Sequence, residues 1–320
     1  MKFITNIIGE ELRVFESKFA DAVKSKTSSL DAVMRYIIKR KGKQLRPMFV
    51  FLSAKLHGEI NESTYRAAAL VEMLHTATLV HDDVVDESME RRGFFSINAI
   101  WKNKIAVLVG DYLLSKGLLL STSNNEFEQL HIMSDAIRQM SEGELLQMEK
   151  TRKLNITEDI YFEIIKNKTA SLLSSACGVG AYSTTQNKDI TEQMKLFGEK
   201  TGIAFQIKDD LFDYGTADIG KPTGNDIKEK KMTLPLIYTL NNVDKKTMRD
   251  IIYIVKNNNT NKEKVKWVID TVVKTGGIKY AEQKMFEYRD EALNILKQFP
   301  SSDVSDALGA LVRYTTDRKY

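Results

Sequence analysis

Apolar residues recur along the chain at spacings of three and four, and no stretch shows a strand's alternation or a hairpin turn. The pattern predicts an all-α protein, with helices over 9–24, 28–41, 46–57, 61–87, 95–101, 104–122, 125–150, 157–184, 188–215, 232–241, 244–257, 261–274, 276–297 and 301–317. Segments 61–87 and 157–184 are apolar on most sides, which calls for burial and makes them inner walls of a bundle. The longest stretch without helical periodicity runs from Tyr214 to Lys231. Its glycines, proline and alternating charges predict a loop, and a loop of that length in a compact domain is usually functional. With Lys221, Lys228, Lys230 and Lys231 on it, such a loop would either close over an anionic substrate or be a solvated turn rich in lysine.

Composition narrows the choices. With 42% hydrophobic residues, 4 prolines and no linker-like segment, 320 residues can bury a large core as one domain spanning 1–320. The single cysteine, Cys177, lies in an apolar setting, so no disulfide framework exists and a buried thiol is expected. The opening segment is too short for a signal peptide, and no stretch approaches 18 apolar residues, so a cytoplasmic protein without a membrane span is expected. Balanced charge, 47 basic against 43 acidic residues, excludes a nucleic-acid footprint.

The chemistry concentrates in two aspartate clusters of one design, Asp82-Asp83-Val84-Val85-Asp86 and Asp209-Asp210-Leu211-Phe212-Asp213, each preceded by an apolar helical stretch. In a helix the first and last aspartates of each cluster share a face while the middle one points aside. Such like-charge pairs cost a few tenths of a kcal/mol each unless a cation compensates them. A solvated acidic helix end accounts for one such cluster but poorly for two. Hard oxygen ligands without thiolates point to Mg²⁺, and two facing claws would grip one diphosphate through several ions.

Basic clusters supply phosphate-binding capacity. Arg40-Lys41-Gly42-Lys43-Gln44-Leu45-Arg46-Pro47 sits between helices, with Pro47 in the first turn of the second, whose free N–H groups favour an anion. Arg91 and Arg92 follow the first aspartate cluster and suit bidentate contact with phosphate oxygens. Three basic clusters and two claws exceed the needs of one diphosphate and suggest two. His75 and His81 are six residues apart, and with one cysteine and no His-Glu-x-x-His pattern a zinc site is not expected; by itself His75 reads as a satisfied core histidine.

In order along the chain, Gly42-Lys43-Gln44-Leu45-Arg46-Pro47, the His75–Asp86 segment with Arg91-Arg92-Gly93, Gly110-Asp111, Glu142-Gly143-Glu144, Lys168-Thr169-Ala170, Phe205–Asp213, Gly220-Lys221 and Lys231-Met232-Thr233-Leu234-Pro235 resemble the trans-type (head-to-tail) polyprenyl diphosphate synthases. The resemblance implies long helices around a deep central apolar cavity. It also implies a Mg²⁺-dependent homodimer with three ions beside bound substrate, and elongation of an allylic diphosphate primer by isopentenyl diphosphate.

By that resemblance Asp82, Asp86 and Asp209 bind the ions, with Asp83, Asp210 and Asp213 beside them. Arg91 touches the allylic diphosphate; Lys43, Arg46, His75 and Arg92 hold isopentenyl diphosphate; Lys168, Thr169, Gln206, Lys221 and Lys231 line the allylic site. Where many relatives have Gly-Lys before Met-Thr-Leu-Pro, this chain has Lys230-Lys231. A class I terpene cyclase would carry an Asn-Ser/Thr-Glu motif in place of the second cluster, and a non-catalytic homologue would lack aspartates from at least one.

Product length is read from what precedes Asp82. Short-chain members of the family place bulky aromatics four and five residues before that aspartate, where this chain has Thr78 and Ala77. The growing tail would then run past Leu74, Met73 and Leu70, each helical turn adding about 5.4 Å of apolar wall, to a long-chain product of roughly six to eight isoprene units. Such a chain suits a respiratory quinone, and its apolar product would draw the enzyme to membranes. The alternative is a farnesyl or geranylgeranyl diphosphate synthase, with the small residues merely allowing close helix packing.

Overall fold

A computed structural model describes residues 2–40, 42–91, 93–215 and 224–318. The order is α1 (Lys2–Ala22), α2 (Ser28–Lys39), α3 (Leu45–His57), α4 (Glu62–Val85), β1 (Glu90–Arg91), β2 (Phe94–Phe95), α5 (Ile97–Thr122), α6 (Phe127–Lys153), α7 (Glu158–Ile165), a π turn (Lys166–Ala170), α8 (Ser171–Thr185), α9 (Lys188–Phe212), α10 (Asn225–Lys228), α11 (Leu234–Asn242), α12 (Lys245–Asn257), α13 (Lys262–Thr275), α14 (Gly277–Leu296) and α15 (Asp303–Asp317). The fold is all-α, as the periodicity predicts.

Four expectations need correction. A hairpin does exist: β1 and β2 pair antiparallel, Glu90 with Phe95 and Arg91 with Phe94, too briefly for alternation to register in sequence. The first helix begins at Lys2 rather than residue 9. A break at Ile8 (φ −129°, ψ 18°) interrupts it, yet Ile4, Ile8, Leu12 and Phe15 bury one continuous stripe. The helices expected over 95–101 and 104–122 run together as α5 across one left-handed residue, Lys102 at φ 73°. The segment 157–184 is divided by the π turn, where the Ser171 N–H reaches back to the Lys166 carbonyl.

The chain forms two compact units, each assembled from separate stretches. The first comprises residues 1–137, 175–195 and 301–308, the second residues 138–174, 196–300 and 309–320.

In the first unit α5 lies along α4. The approach depends on glycine: a Cβ on Gly110 would stand 2.1 Å from His81 Nε2, and one on Gly117 would stand 3.1 Å from Leu70 Cδ1. By length and hydropathy alone α5 would suffice to cross a membrane. Its Val109, Leu113 and Gly117 are buried, while Ile105, Val107, Leu108, Leu118 and Leu119 stay exposed.

In the second unit Tyr161, Ile164, Ile203, Ile207 and Leu211 belong to one buried cluster that includes residues from α11 through α14. The π turn sits hard against α6 and α9. A Cβ on Gly143 would stand 2.9 Å from the Lys168 backbone nitrogen, and one on Gly202 would stand 2.6 Å from Ala170 Cα. Only small residues admit such contact, and they seat the turn that carries Lys168 and Thr169.

Candidate active site

The first aspartate motif ends α4. This helix starts in a capping box, the Asn61 side chain accepting from the Thr64 N–H and the Thr64 hydroxyl from the Asn61 N–H. It stops at Asp86, the C-cap, whose N–H donates to the Asp82 carbonyl at 2.8 Å. Asp82 is half-buried and Asp86 exposed. The middle member, Asp83, turns inward: it is buried and accepts from Arg91 Nε at 2.7 Å, while its carbonyl accepts from the Asn98 amide at 3.2 Å. Burial pushes the Asp83 carboxyl above its ordinary range despite that guanidinium. Arg91 thus braces the motif in this structure, and Arg92 lies outside the described residues.

Upstream, the backbone turns into α3 through Gln44, left-handed at φ 53°, with Lys43 exposed and Arg46 half-buried in the first turn. His75 is buried on α4. Of the expected chain-length residues, Ala77 is fully buried, Leu74 is buried with Cδ2 3.5 Å from where a Cβ on Gly117 would stand, and half-buried Thr78 donates its hydroxyl to the His75 carbonyl at 2.9 Å.

The second motif ends α9 in the other unit. Its middle residue, Asp210, is buried and held on both oxygens: Tyr161 donates at 2.7 Å and the Gln206 amide at 2.8 Å. Gln206 in turn accepts from the Thr169 hydroxyl at 2.8 Å, so one line of hydrogen bonds joins the π turn, α9 and α7. Asp213 accepts from the backbone N–H groups of Asn225 (2.7 Å) and Asp226 (3.0 Å) and thereby anchors α10. Asp209 is ion-paired with Arg318, just beyond α15.

Around a cavity of about 200 Å³ stand Lys168, Thr169, Gln206, Asp210, Asp226 and Lys231, with Tyr161 and Ile165 among its apolar wall. That volume suits a charged headgroup rather than a long tail. Lys168 pairs with Glu144, and Lys231 pairs with Glu229 at 2.5 Å. Burial alone would lower the Lys231 ammonium, but Glu229, Asp226 and Asp210 raise it. Lys221 lies outside the described residues.

Two acids of the cavity are held toward their neutral form. Burial pushes Asp210 up to about 6, although Tyr161 and Gln206 act against it, and burial with repulsion from Asp210 and Asp213 pushes Asp226 up to about 7. Both motifs also occupy the last turn of a helix, where backbone carbonyls concentrate negative potential, and neither last turn contains a basic residue. Among the described residues no three His, Cys, Asp or Glu side chains converge on one point. Mg²⁺ fits the solvent-reached carboxylates of Asp82, Asp86 and Asp209, because it takes one or two carboxylates and fills its remaining positions with water and substrate phosphate.

Three residues escape a reading from sequence. Tyr161 reads as packing in an apolar helix, although a phenol there needs a hydrogen-bond partner, which is the signal that points to it. Asp226 reads as a loop charge. Arg318 carries no signal, since its partner is far away in sequence.

The polyprenyl synthetase family model matches residues 27–272. An all-trans-nonaprenyl-diphosphate synthase (geranyl-diphosphate specific) of Rhodobacter capsulatus is 35% identical, with 97% of this chain and 96% of that protein covered. A crystal structure of a decaprenyl diphosphate synthase from Rhodobacter capsulatus superposes with a TM-score of 0.93 at 33% identity over 98% of each chain. A geranylgeranyl pyrophosphate synthase from Bacteroides thetaiotaomicron superposes at 0.83 with 35% identity, covering 99% of this chain and 98% of that one.

Proposed function

The chain belongs to the polyprenyl synthetase family and is a prenyltransferase, and from that premise we propose that it extends an allylic diphosphate with isopentenyl diphosphate to a long-chain all-trans polyprenyl diphosphate. The observation that carries this reading is the cavity in which Lys168 and Lys231 meet the line Thr169, Gln206, Asp210 and Tyr161. It combines cations for a diphosphate with fixed dipoles at the edge of an apolar wall.

By family resemblance Asp82, Asp86 and Asp209 would hold Mg²⁺, which when bound supplies Lewis-acid neutralisation of the departing diphosphate. Lys168, Lys231 and, by family resemblance, Lys221 and Arg91 take the remaining charge. Thr169 and Gln206 turn oxygen dipoles toward the allylic cation that forms, in a site preorganised by Asp210 and Tyr161. The apolar wall excludes the water that would trap that cation. Lys43, Arg46, His75 and Arg92 hold isopentenyl diphosphate so that its double bond attacks the cation. Loss of a proton restores an allylic chain for the next round.

Residues 1–320 act as one synthase domain, in the cytoplasm, and the long product serves as a quinone side chain. A second copy covers the exposed apolar residues of α5, Ile105, Val107, Leu108, Leu118 and Leu119, which explains that helix's apolarity without a membrane. The relatives' names span geranylgeranyl to decaprenyl products, so length is the property to measure. Radiolabelled isopentenyl diphosphate with geranyl or farnesyl diphosphate and Mg²⁺, with products sized by chromatography, tests the whole reading. Incorporation into chains longer than geranylgeranyl supports it; no incorporation with any allylic primer overturns it.

A further inference from the structure

Asp209 is held by a cation from the far end of the chain. Arg318 Nη2 pairs with Asp209 Oδ1, and the same guanidinium donates through Nε to the Thr315 carbonyl at 3.1 Å. Its carbon stands 4.2 Å from the centre of the Phe205 ring and 5.3 Å from that of Phe212. Phe205, Asp209 and Phe212 lie at i, i+4 and i+7 on α9, one face of the helix. The guanidinium that pairs with Asp209 therefore also lies against two aromatic rings of the same helix face, which suits a flat, stackable cation. A hydrated divalent ion makes no use of those rings.

Ion pairing of this kind contributes little to folding when one partner stays open to water, and the Asp209 side chain is 41% exposed. Its larger consequence is competition. Asp209 ends a helix whose last turn has no basic residue of its own, so Arg318 supplies from outside the positive charge that position calls for.

We propose that Arg318 is a positioning residue for the second aspartate motif: its guanidinium fixes the Asp209 carboxylate in the resting enzyme and yields that oxygen when metal and diphosphate bind. The proposal rests on the assignment of Asp209 as a metal ligand. It makes Arg318, just beyond α15, part of the apparatus that sets the metal requirement. Because binding must displace Arg318, apparent metal affinity is lowered by the strength of the pair.

Two measurements on residues 1–320 test this. In the first, Mn²⁺ without diphosphate is titrated and the free-ion signal read by electron paramagnetic resonance. Arg318→Ala should bind the ion tighter by roughly threefold, the worth of a partly exposed ion pair, with Arg318→Lys between it and wild type. In the second, trypsin removal of Lys319-Tyr320 is followed by intact mass. Cleavage after Arg318 should be slow in wild type, faster once Mg²⁺ and inorganic diphosphate are added, and fast throughout in Asp209→Asn.

Unchanged or weaker Mn²⁺ binding in Arg318→Ala, or cleavage indifferent to Mg²⁺ and diphosphate, overturns the proposal while Asp209→Asn still loses the ion. If Asp209→Asn binds Mn²⁺ as wild type does, the metal assignment itself fails and takes the proposal with it. The two failures are therefore told apart by one variant.

Discussion

Tyr161 donates its hydroxyl to Asp210 at 2.7 Å, deep in the second unit, and so fixes from α7 a carboxylate on α9. The other Asp210 oxygen holds Gln206, and Gln206 holds Thr169, so the orientation of two dipoles at the cavity depends on one phenol. Tyr161→Phe leaves a buried carboxylate oxygen without its donor, which costs about 1–3 kcal/mol. Turnover should fall roughly tenfold while the KM for isopentenyl diphosphate stays near wild type, since dipole positioning acts on the transition state. Steady-state kinetics with a urea melt check this; unchanged turnover in a folded variant refutes the positioning role.

Lys230 stands at φ 60°, in the left-handed region that favours glycine. The Lys230 N–H reaches the Ile227 carbonyl and the Lys231 N–H the Asp226 carbonyl, the pair of bonds by which a glycine usually closes a helix C-terminus. A glycine at this point would meet that backbone demand freely, and this chain bears the strain of lysine instead. Lys230→Gly should stabilise the protein by about 0.5–1 kcal/mol with turnover retained. A urea midpoint that falls rather than rises would refute the account, and Lys230→Ala, which keeps a Cβ, should show no gain.

Legibility followed the range of the forces. The aspartate motifs are visible because i, i+4 spacing and the apolar run before each are local, and Pro47 falls in the first turn of α3 for the same reason. The π turn is not visible, because nothing in Lys166–Ala170 demands it; its seat is provided by Gly143 and Gly202 on other helices. Hairpin residues Glu90–Phe95 are too few for alternation to be read. Asp83 and Asp210 show the limit most plainly. Their spacing says that each points away from its neighbours, but only the fold shows that each turns inward to a partner, Arg91 or Tyr161.

The buried acids predict an unusual pH response. Asp226 has an ordinary value of 3.8 and is pushed up to about 7 in the folded chain by burial and by Asp210 and Asp213. A carboxyl raised by folding contributes stability that is complete below about 4 and is lost as pH rises through about 7. Without metal, the urea midpoint should therefore be higher at pH 5.5 than at pH 8, and Asp226→Asn should shrink that difference. An identical difference in the variant would show that Asp226 is not the titrating group.

Cys177 is fully buried, and burial pushes its thiol up to about 12. Thiolate is the reactive form, so iodoacetamide at pH 8 should leave the native protein unmodified and label it once in urea. Labelling of the native protein at a rate comparable to free cysteine would contradict the burial.

Metal dependence should require both aspartate motifs. Asp82→Ala and Asp209→Ala each remove a proposed oxygen ligand from a helix end that has no basic residue in its last turn. Turnover should drop by orders of magnitude in each, with the helical circular dichroism unchanged, and EDTA should abolish wild-type activity. Full activity in either variant would sink the assignment.

Product length remains the property most sensitive to one side chain. Ala77 and Thr78 precede Asp82 by one turn of α4, and if the tail grows along that face, as proposed, neither is large enough to stop it. Ala77→Phe should shorten the product to about farnesyl or geranylgeranyl length while the first condensation continues. Because Ala77 is fully buried, a ring there also overpacks the helix contact, at about 1–3 kcal/mol. Thermal unfolding must therefore be read beside product length. Thr78→Phe, at the half-buried neighbour, carries the same block with less strain. A shortened product from either folded variant supports a tail running along α4 toward Leu74. Unchanged length in both means that these small residues only let α4 pack closely, and that a side chain elsewhere limits the product.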